Sequence, residues 1–392
     1  MPFQPWLAHN LGRTMSCIAL IESDPEIARI FQNRLEANGY EVQVAVTGEV
    51  GLSLASSARP LAVLVGSDLP GLDSTTLIQR IRAATSPSLP IVAFCNNYLP
   101  QTIEATMRAG ATRCLNKFSC TPDSVAALLS QLAPPPAPAE KPAEPEGDLP
   151  AAPSTLAALD FLRRSFPGKA EMELITLRDR YISTDRKAPN DRLSHVLAGM
   201  WRPLEGLATA SGALSFRSFA QLASALAALV YHLSVERGKA PQSPLRTVAM
   251  ALDALIAQAP NLRPEDDLCI TPPLVLAVDD VAVSREVVKR ALALAGLNTI
   301  TLHSPRLALD VCRQNRFDLI LLDILMPELS GFDLCREIRG LAHGREVPIV
   351  FVTGIDDFDA RAQAKMHGGN DFIAKPFPPA ELTVKALLHL NS

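Results

Sequence analysis

Along the 392 residues, short continuous apolar runs give way at intervals to longer stretches with helical spacing. Near the C-terminus the runs are Leu274–Val278, Thr299–Leu302, Leu319–Leu322, Ile349–Val352 and Phe372–Ala374. None exceeds five residues; they are rich in β-branched side chains and bounded by Asp, Gly or Pro. Such runs suit parallel strands buried on both faces. Apolar positions recur at helical spacing over Ser284–Ala295, Arg306–Arg313, Gly331–Arg339, Phe358–Met366 and Pro379–Leu390. The pattern predicts five βα units in a doubly wound α/β sheet, whose ligands would sit beyond the carboxyl ends of the strands.

The same pattern occurs near the N-terminus. Ala-Leu-Ile-Glu22 matches Leu-Ala-Val-Asp279, and Leu69-Pro70 matches Met326-Pro327, both at an offset of 257. Pro90-Ile-Val matches Pro348-Ile-Val at 258, as do Gly110 with Gly368 and Lys117 with Lys375. One insertion over such a span marks two copies of one domain. Between the copies the strand rhythm disappears. Amphipathic stretches at Ser154–Arg164, Glu171–Tyr181, Asp191–Ser211, Ser215–Val235 and Ser243–Gln258 predict an all-α helical bundle. Proline marks the boundaries: residues 133–153 carry eight of the 32 prolines and should form an extended spacer. A second break covers residues 259–273. The expected division is 1–132, 133–153 (linker), 154–258, 259–273 (linker) and 274–392.

Composition narrows the class. With 48% hydrophobic and 20% charged residues, the chain is that of folded domains rather than a disordered polymer. The net charge of -4 argues against a chain built to bind nucleic acid or an anionic membrane. The charge is uneven: the first copy carries -1, the middle block +4 and the last copy -2. Cys17, Cys95, Cys114, Cys120, Cys269, Cys312 and Cys335 are scattered without a C-x-x-C pair, which indicates neither a disulfide framework nor a zinc site. A reducing cytoplasm is the expected setting. The longest apolar run, Leu222–Tyr231, falls short of the ~20 residues that span a bilayer, and the N-terminus does not read as a signal peptide.

In the last copy the polar residues converge. Asp279 and Asp280 close the first strand, Asp323 the third, Thr353 the fourth and Lys375 the fifth. All belong at the carboxyl edge of one sheet. Three carboxylates at one point require neutralising, which a hard cation such as Mg²⁺ does while keeping positions open. Lys375 adds a fixed positive charge, Thr353 a hydroxyl donor, and Gly354 leaves room for a phosphoryl group. The set suits phosphoryl transfer onto Asp323. Lys375-Pro376 is a candidate cis peptide.

Asp279-Asp280, Asp323-Ile-Leu-Met-Pro-Glu-Leu-Ser-Gly331, Val352-Thr353-Gly354 and Lys375-Pro376-Phe377 together resemble the receiver domain of two-component response regulators. The resemblance implies a flavodoxin-like fold and an Asp323 that accepts a phosphoryl group from a sensor histidine kinase or a phosphotransfer protein. It implies Mg²⁺ held by Asp280, Asp323 and the backbone carbonyl of Leu325, with Asp279 contributing through water. It also implies a switch pair, Thr353 and Phe372. Leu325 and Ile355 stand where the family often has polar residues, so slow loss of the phosphoryl group is expected.

The first copy has lost these residues. Asp279 becomes Glu22, Asp280 becomes Ser23, Asp323 becomes Gly66, Thr353 becomes Cys95 and Pro376 becomes Phe118; Lys117 survives. Asp68 is a poor substitute for the missing acceptor. This copy reads as a pseudo-receiver that serves as a docking or dimerisation module, with Cys95 and Cys114 taken as small packing residues. In the middle block, Leu204–Phe216 followed by Phe219, Leu222 and Leu226 resembles histidine phosphotransfer domains, with Glu205 where the phosphorylated histidine would stand and Ala208 in place of a lysine. His195 offers a second register. The leading expectation is a cytoplasmic response regulator, not a metabolic enzyme, whose output is protein–protein interaction, with no nucleic-acid or membrane partner. The rivals are a phosphorelay intermediate or phosphate sink using His195, and a transcription regulator acting through the middle block.

Overall fold

The computed structural model describes residues 17–66, 69–96, 99–116, 121–135, 155–184, 190–236, 241–264, 272–354 and 366–391. They form two compact units, one built mainly on the N-terminal 162 residues and one on the chain from Arg163 onward.

The first unit carries a five-stranded parallel sheet with β1 (Cys17–Ile21), β2 (Glu41–Ala45), β3 (Ala62–Val65), β4 (Ile91–Cys95) and β5 (Arg113–Asn116), in the order β2-β1-β3-β4-β5. Helices α1 (Pro25–Ala37), α2 (Gly48–Ser57), α3 (Ser74–Ala84), α4 (Pro100–Arg108) and α5 (Pro122–Leu132) connect and follow the strands. Local chemistry fixes their starts. Asp24 accepts from the backbone amides of Glu26 and Ile27, with Pro25 at the first helical position, and Thr47, Asp73 and Thr121 cap the next helices in the same way.

The second unit begins with helices: α6 (Thr155–Ser183, its first residues belonging to the first unit), α7 (Asn190–Ala213), α8 (Arg217–Val235) and α9 (Gln242–Gln258). The sequence pattern divides α6 at Pro167-Gly168, but the helix runs through. Proline leaves the Arg163 carbonyl without its usual donor, at a cost of about 3 kcal/mol. Phe166, Ala170, Leu174, Leu177 and Tyr181 keep one buried phase across the break, so packing outweighs that cost. Phe166 stacks on Phe216 with centroids 5.7 Å apart, and Tyr181 donates to the Leu245 carbonyl at 2.6 Å. Helix α8 is long and apolar enough, by length and composition, to cross a membrane, although its apolar run is short. Ser, Gln and His interrupt the run without lowering its mean hydropathy enough. Here 67% of its most apolar window is buried within the protein, as in a core helix.

The second sheet follows: β6 (Leu274–Val278), β7 (Asn298–Leu302), β8 (Leu319–Leu322), β9 (Ile349–Thr353) and β10 (Asp371–Ala374), in the order β10-β9-β8-β6-β7. Its helices are α10 (Ala282–Leu294), α11 (Pro305–Gln314), α12 (Gly331–Gly340) and α13 (Pro379–Leu390). The helix expected over Phe358–Met366 falls almost wholly outside the described residues. The two sheets share order and register: Val92 pairs with Arg113 as Val350 pairs with Asp371.

Helix α13 explains why the bundle and the second sheet form one unit. Eight consecutive residues, Ala380 to Leu387, are buried, including Glu381, Thr383 and Lys385. One side covers its own sheet and the other meets α8 and α9. There Ser243 and Thr247 of α9 donate to Glu381 Oε1 at 2.5 and 3.2 Å. Gln221 of α8 donates to the carbonyl of Ala295, beside α10.

Candidate phosphoryl-acceptor site

Each expected site residue of the second sheet lies at or just beyond a strand's carboxyl end. Asp279 and Asp280 follow β6, Asp323 follows β8, Thr353 ends β9 and Lys375 follows β10. The chain after β8 is held tightly: a Cβ on Gly331 would stand 2.0 Å from the Asp323 carbonyl oxygen, so only glycine fits.

The Lys375 ammonium donates to Asp279 Oδ2 at 2.6 Å and to Asp323 Oδ2 at 2.8 Å. Both carboxylates are buried, and Asp280 is exposed. Burial alone would lower the Lys375 pKa, but its two carboxylate bonds outweigh this and raise it above its ordinary value. Asp279 Oδ1 accepts from the Val281 amide at 2.8 Å, and Asp323 Oδ1 faces the Leu325 amide at 3.3 Å. The Lys375-Pro376 peptide is cis, as its sequence suggests.

Asp279, Asp280 and Asp323 offer oxygens that all lie within 4.8 Å of one another. One ammonium faces three carboxylates, which leaves an excess of negative charge that a divalent cation fits. The Thr353 hydroxyl is buried and has no hydrogen-bond partner among the described residues, an unusual state for a buried polar atom. A donor of this kind at the site's edge suits an incoming anion. Leu325 is 62% exposed beside the acceptor, whereas Phe372 is buried in the core. Ile355 lies outside the described residues.

The same edge in the first unit is built differently among the described residues. The Glu22 carboxylate is buried and leans over Gly66: a Cβ at residue 66 would meet Glu22 Oε2 at 2.7 Å. Glu22 Oε1 accepts from the Asp24 amide at 3.1 Å and the Ser23 hydroxyl at 3.4 Å. Cys95 ends β4 where Thr353 ends β9. Lys117, Phe118 and Asp68 lie outside the described residues.

In the bundle, Glu205 is buried, whereas a residue that exchanges phosphoryl groups with a partner must be reachable. His195 lies exposed on α7. Among the described residues the acidic cluster comprises Asp279, Asp280 and Asp323, and neither Glu205 nor His195 belongs to it.

Sequence reasoning missed three arginines. Arg339 donates to the carbonyls of Gly368, Gly344 and Val347, and Arg82 does the same to Gly110, Ser86, Pro87 and Leu89. The repeat offset itself, which relates these two arginines, was the available signal. Arg285 donates to the carbonyls of Asp279 and Asp280 at 2.7 and 2.9 Å and so pins the acidic turn. No pattern in the sequence marks it.

A parallel sheet with converging acids, an ammonium and a buried hydroxyl at its carboxyl edge is the arrangement that the resemblance implies. The response regulator receiver domain matches residues 18–129 and 275–387, more than half of the chain, and the chain belongs to that family. Among curated relatives, the "probable transcriptional regulator ycf27" of Guillardia theta is 35% identical over 111 residues, 28% of this chain and 42% of that protein. The "response regulator MprA" of Mycobacterium tuberculosis strain H37Rv is 34% identical over 111 residues, 28% of this chain and 47% of that protein. The chain thus spans about half the length of the curated relatives it matches. Among solved structures, Vibrio cholerae chemotaxis protein CheY4 shares 32% identity, with 30% of this chain and 97% of that chain covered and a TM-score of 0.29. The receiver domain of sensor histidine kinase PA1611 from Pseudomonas aeruginosa, "with magnesium ion coordinated in the active site cleft", shares 31% identity over 30% of this chain and 98% of that chain, with a TM-score of 0.28.

Proposed function

We propose that this response regulator is switched by phosphorylation of Asp323, with the phosphoryl group supplied by a sensor histidine kinase or a phosphotransfer protein. The P–N bond of the donor phosphohistidine breaks, a P–O bond to Asp323 forms, and the leaving imidazole takes up a proton. Lys375 holds the acceptor carboxylate and offers positive charge to the transferred oxygens, and the Thr353 hydroxyl supplies a donor. Asp279, Asp280, Asp323 and the Leu325 carbonyl would hold Mg²⁺, which supplies charge neutralisation for the phosphoryl oxygens. The single observation that carries this reading is the pair of buried acids bridged by Lys375, with the buried Thr353 hydroxyl, without a partner among the described residues, at the end of β9.

The proposed output is a change of protein contacts. Lys385 of α13 donates to the Phe372 carbonyl at 2.7 Å and to Asp371 at 2.7 Å, and Glu381, four residues earlier, accepts from α9. A shift of Thr353 and Phe372 on phosphorylation would therefore reach the bundle through α13. The bundle itself is proposed to be a phosphotransfer-like scaffold whose histidine position, Glu205, is buried and unreactive, and the first receiver to be a docking or dimerisation module.

The test is incubation of the full chain with a small-molecule phosphodonor and Mg²⁺, followed by intact mass. The wild type should gain the mass of one phosphoryl group and Asp323→Asn should gain none. No adduct on the wild type, or one that survives Asp323→Asn, would overturn the reading.

A further inference from the structure

The two sheets share one register, so each residue of the first site has a structural counterpart in the second. Phe372 pairs across the sheet with Phe351, and Thr353 lies two residues further along the same strand. Cys114 pairs with Ala93, and Cys95 lies two residues further along. The places of the switch pair Thr353 and Phe372 are thus held in the first receiver by two thiols. Side chains two residues apart on a strand share a face of the sheet. Cys95 and Cys114 are therefore diagonal neighbours on adjacent strands, and their side chains hydrogen-bond to each other.

We propose that Cys95 and Cys114 form a redox-modified pair, closed to a disulfide by a hydroperoxide, at the position where the second receiver keeps its phosphorylation switch.

The surroundings of the two thiols set their roles. Cys114 is half-buried and Cys95 is buried, so an oxidant meets Cys114 first. The hydrogen bond with Cys95 outweighs burial and holds the Cys114 thiol below its ordinary value, which favours the nucleophilic thiolate. Burial drives Cys17, Cys335 and Cys312 the other way, Cys312 up to about 11, so these three are inert by comparison.

The chemistry balances. The Cys114 thiolate attacks the peroxide: an S–O bond forms, the O–O bond breaks, and the departing oxygen takes a proton to leave as water or an alcohol. The Cys95 sulfur then attacks the sulfenic sulfur: an S–S bond forms, the S–O bond breaks, and hydroxide leaves as water with the Cys95 proton. Two thiols lose two electrons in all, and the hydroperoxide is reduced.

Closure must also move the backbone. Diagonal neighbours on adjacent strands stand roughly 7–8 Å apart, whereas a disulfide needs Cα atoms about 4.4–6.8 Å apart. β5 is the edge strand and is bonded only to β4. It can shift by the required ångström or so with only one ladder to disturb. Oxidation would thus move the strand that carries Cys114, as phosphorylation is proposed to move Phe372.

The full chain is treated with stoichiometric hydrogen peroxide, its free thiols are alkylated, and it is mapped by peptide mass spectrometry. A Cys95–Cys114 cross-linked peptide that is lost on reduction is expected, with Cys17, Cys312 and Cys335 alkylated and at least about tenfold less oxidised. Cys95→Ser should leave Cys114 as a sulfenic acid that a 1,3-dione traps, and Cys114→Ser should abolish both products. The wild-type map stands without either variant. A map in which Cys95 and Cys114 stay alkylated, or in which either is joined to a different cysteine, would overturn the proposal.

Discussion

Two receivers in one chain share everything that makes a sheet and almost nothing that makes the proposed chemistry. Strand order and register agree, and Arg82 and Arg339 clamp the same loops. At the carboxyl edge, one copy holds Asp279, Asp323 and Lys375 in mutual contact. The other has Glu22 folded over Gly66. The fold rests on buried apolar strands and loop clamps, so edge residues can be exchanged without disturbing it. The first copy lacks the aspartate, and the tip of the Glu22 side chain lies beside the place where it would stand.

This comparison can be broken or sharpened by substitution. The largest effect is expected at the acceptor: Asp323→Asn should reduce labelling by a small phosphodonor about 100-fold or more, because no other nucleophile in the cluster replaces it. Residual labelling within a few fold of wild type would break the assignment.

Next comes the attempt to restore the first copy. Gly66→Asp sets a second carboxylate beside the buried Glu22, whose flexible tip must turn aside; it should cost about 1–3 kcal/mol and should gain no label. Denaturant unfolding and peptide mapping check both halves. A labelled, undisturbed Gly66→Asp protein would mean that only the acceptor was lost.

A third test uses a feature of the second copy alone. Asp371 is buried, which would raise its pKa, yet bonds from His389 and Lys385 bring it down to about 2. The first copy has Arg113 at this register position. A folded value below the unfolded one contributes stability that is full above about pH 4 and is lost as pH falls through about 2. Asp371→Asn should therefore cost the second unit about 2 kcal/mol at neutral pH and flatten its stability between about pH 2 and 4. Acid titration of unfolding checks this.

The smallest effect is expected beside the acceptor. Leu325 is exposed and cannot orient water. Leu325→Glu should shorten the lifetime of the phosphorylated protein several-fold, or by about 1 kcal/mol of barrier, measured as decay of the mass adduct after donor removal.

Much of this was legible in the residues. Apolar runs located the strands of the second sheet to within a residue at either end; the expected burial on both faces holds for the central strands β6, β8 and β9 but not for the edge strand β7, which is half exposed. The repeat offset carried the site from one copy to the other. The reading failed where tertiary packing decides. Pro167-Gly168 reads as a break, but a buried face in phase across it keeps α6 whole. The range Pro379–Leu390 reads as a helix, but that its charged Glu381 and Lys385 are buried against the bundle and Asp371 is decided by packing. Cys95 and Cys114 read as scattered packing residues because their adjacency exists only once the strands pair.

The central claim is that one receiver accepts phosphate and the other does not. The most direct measurement treats the full chain with a small-molecule phosphodonor and Mg²⁺ and maps the adduct by peptide, so that both copies report in one sample. A phosphoryl group on the peptide that contains Asp323, with none on the peptide that contains Gly66, is the expected result. Label on the first receiver, or label on both copies that persists in Asp323→Asn, would contradict the account.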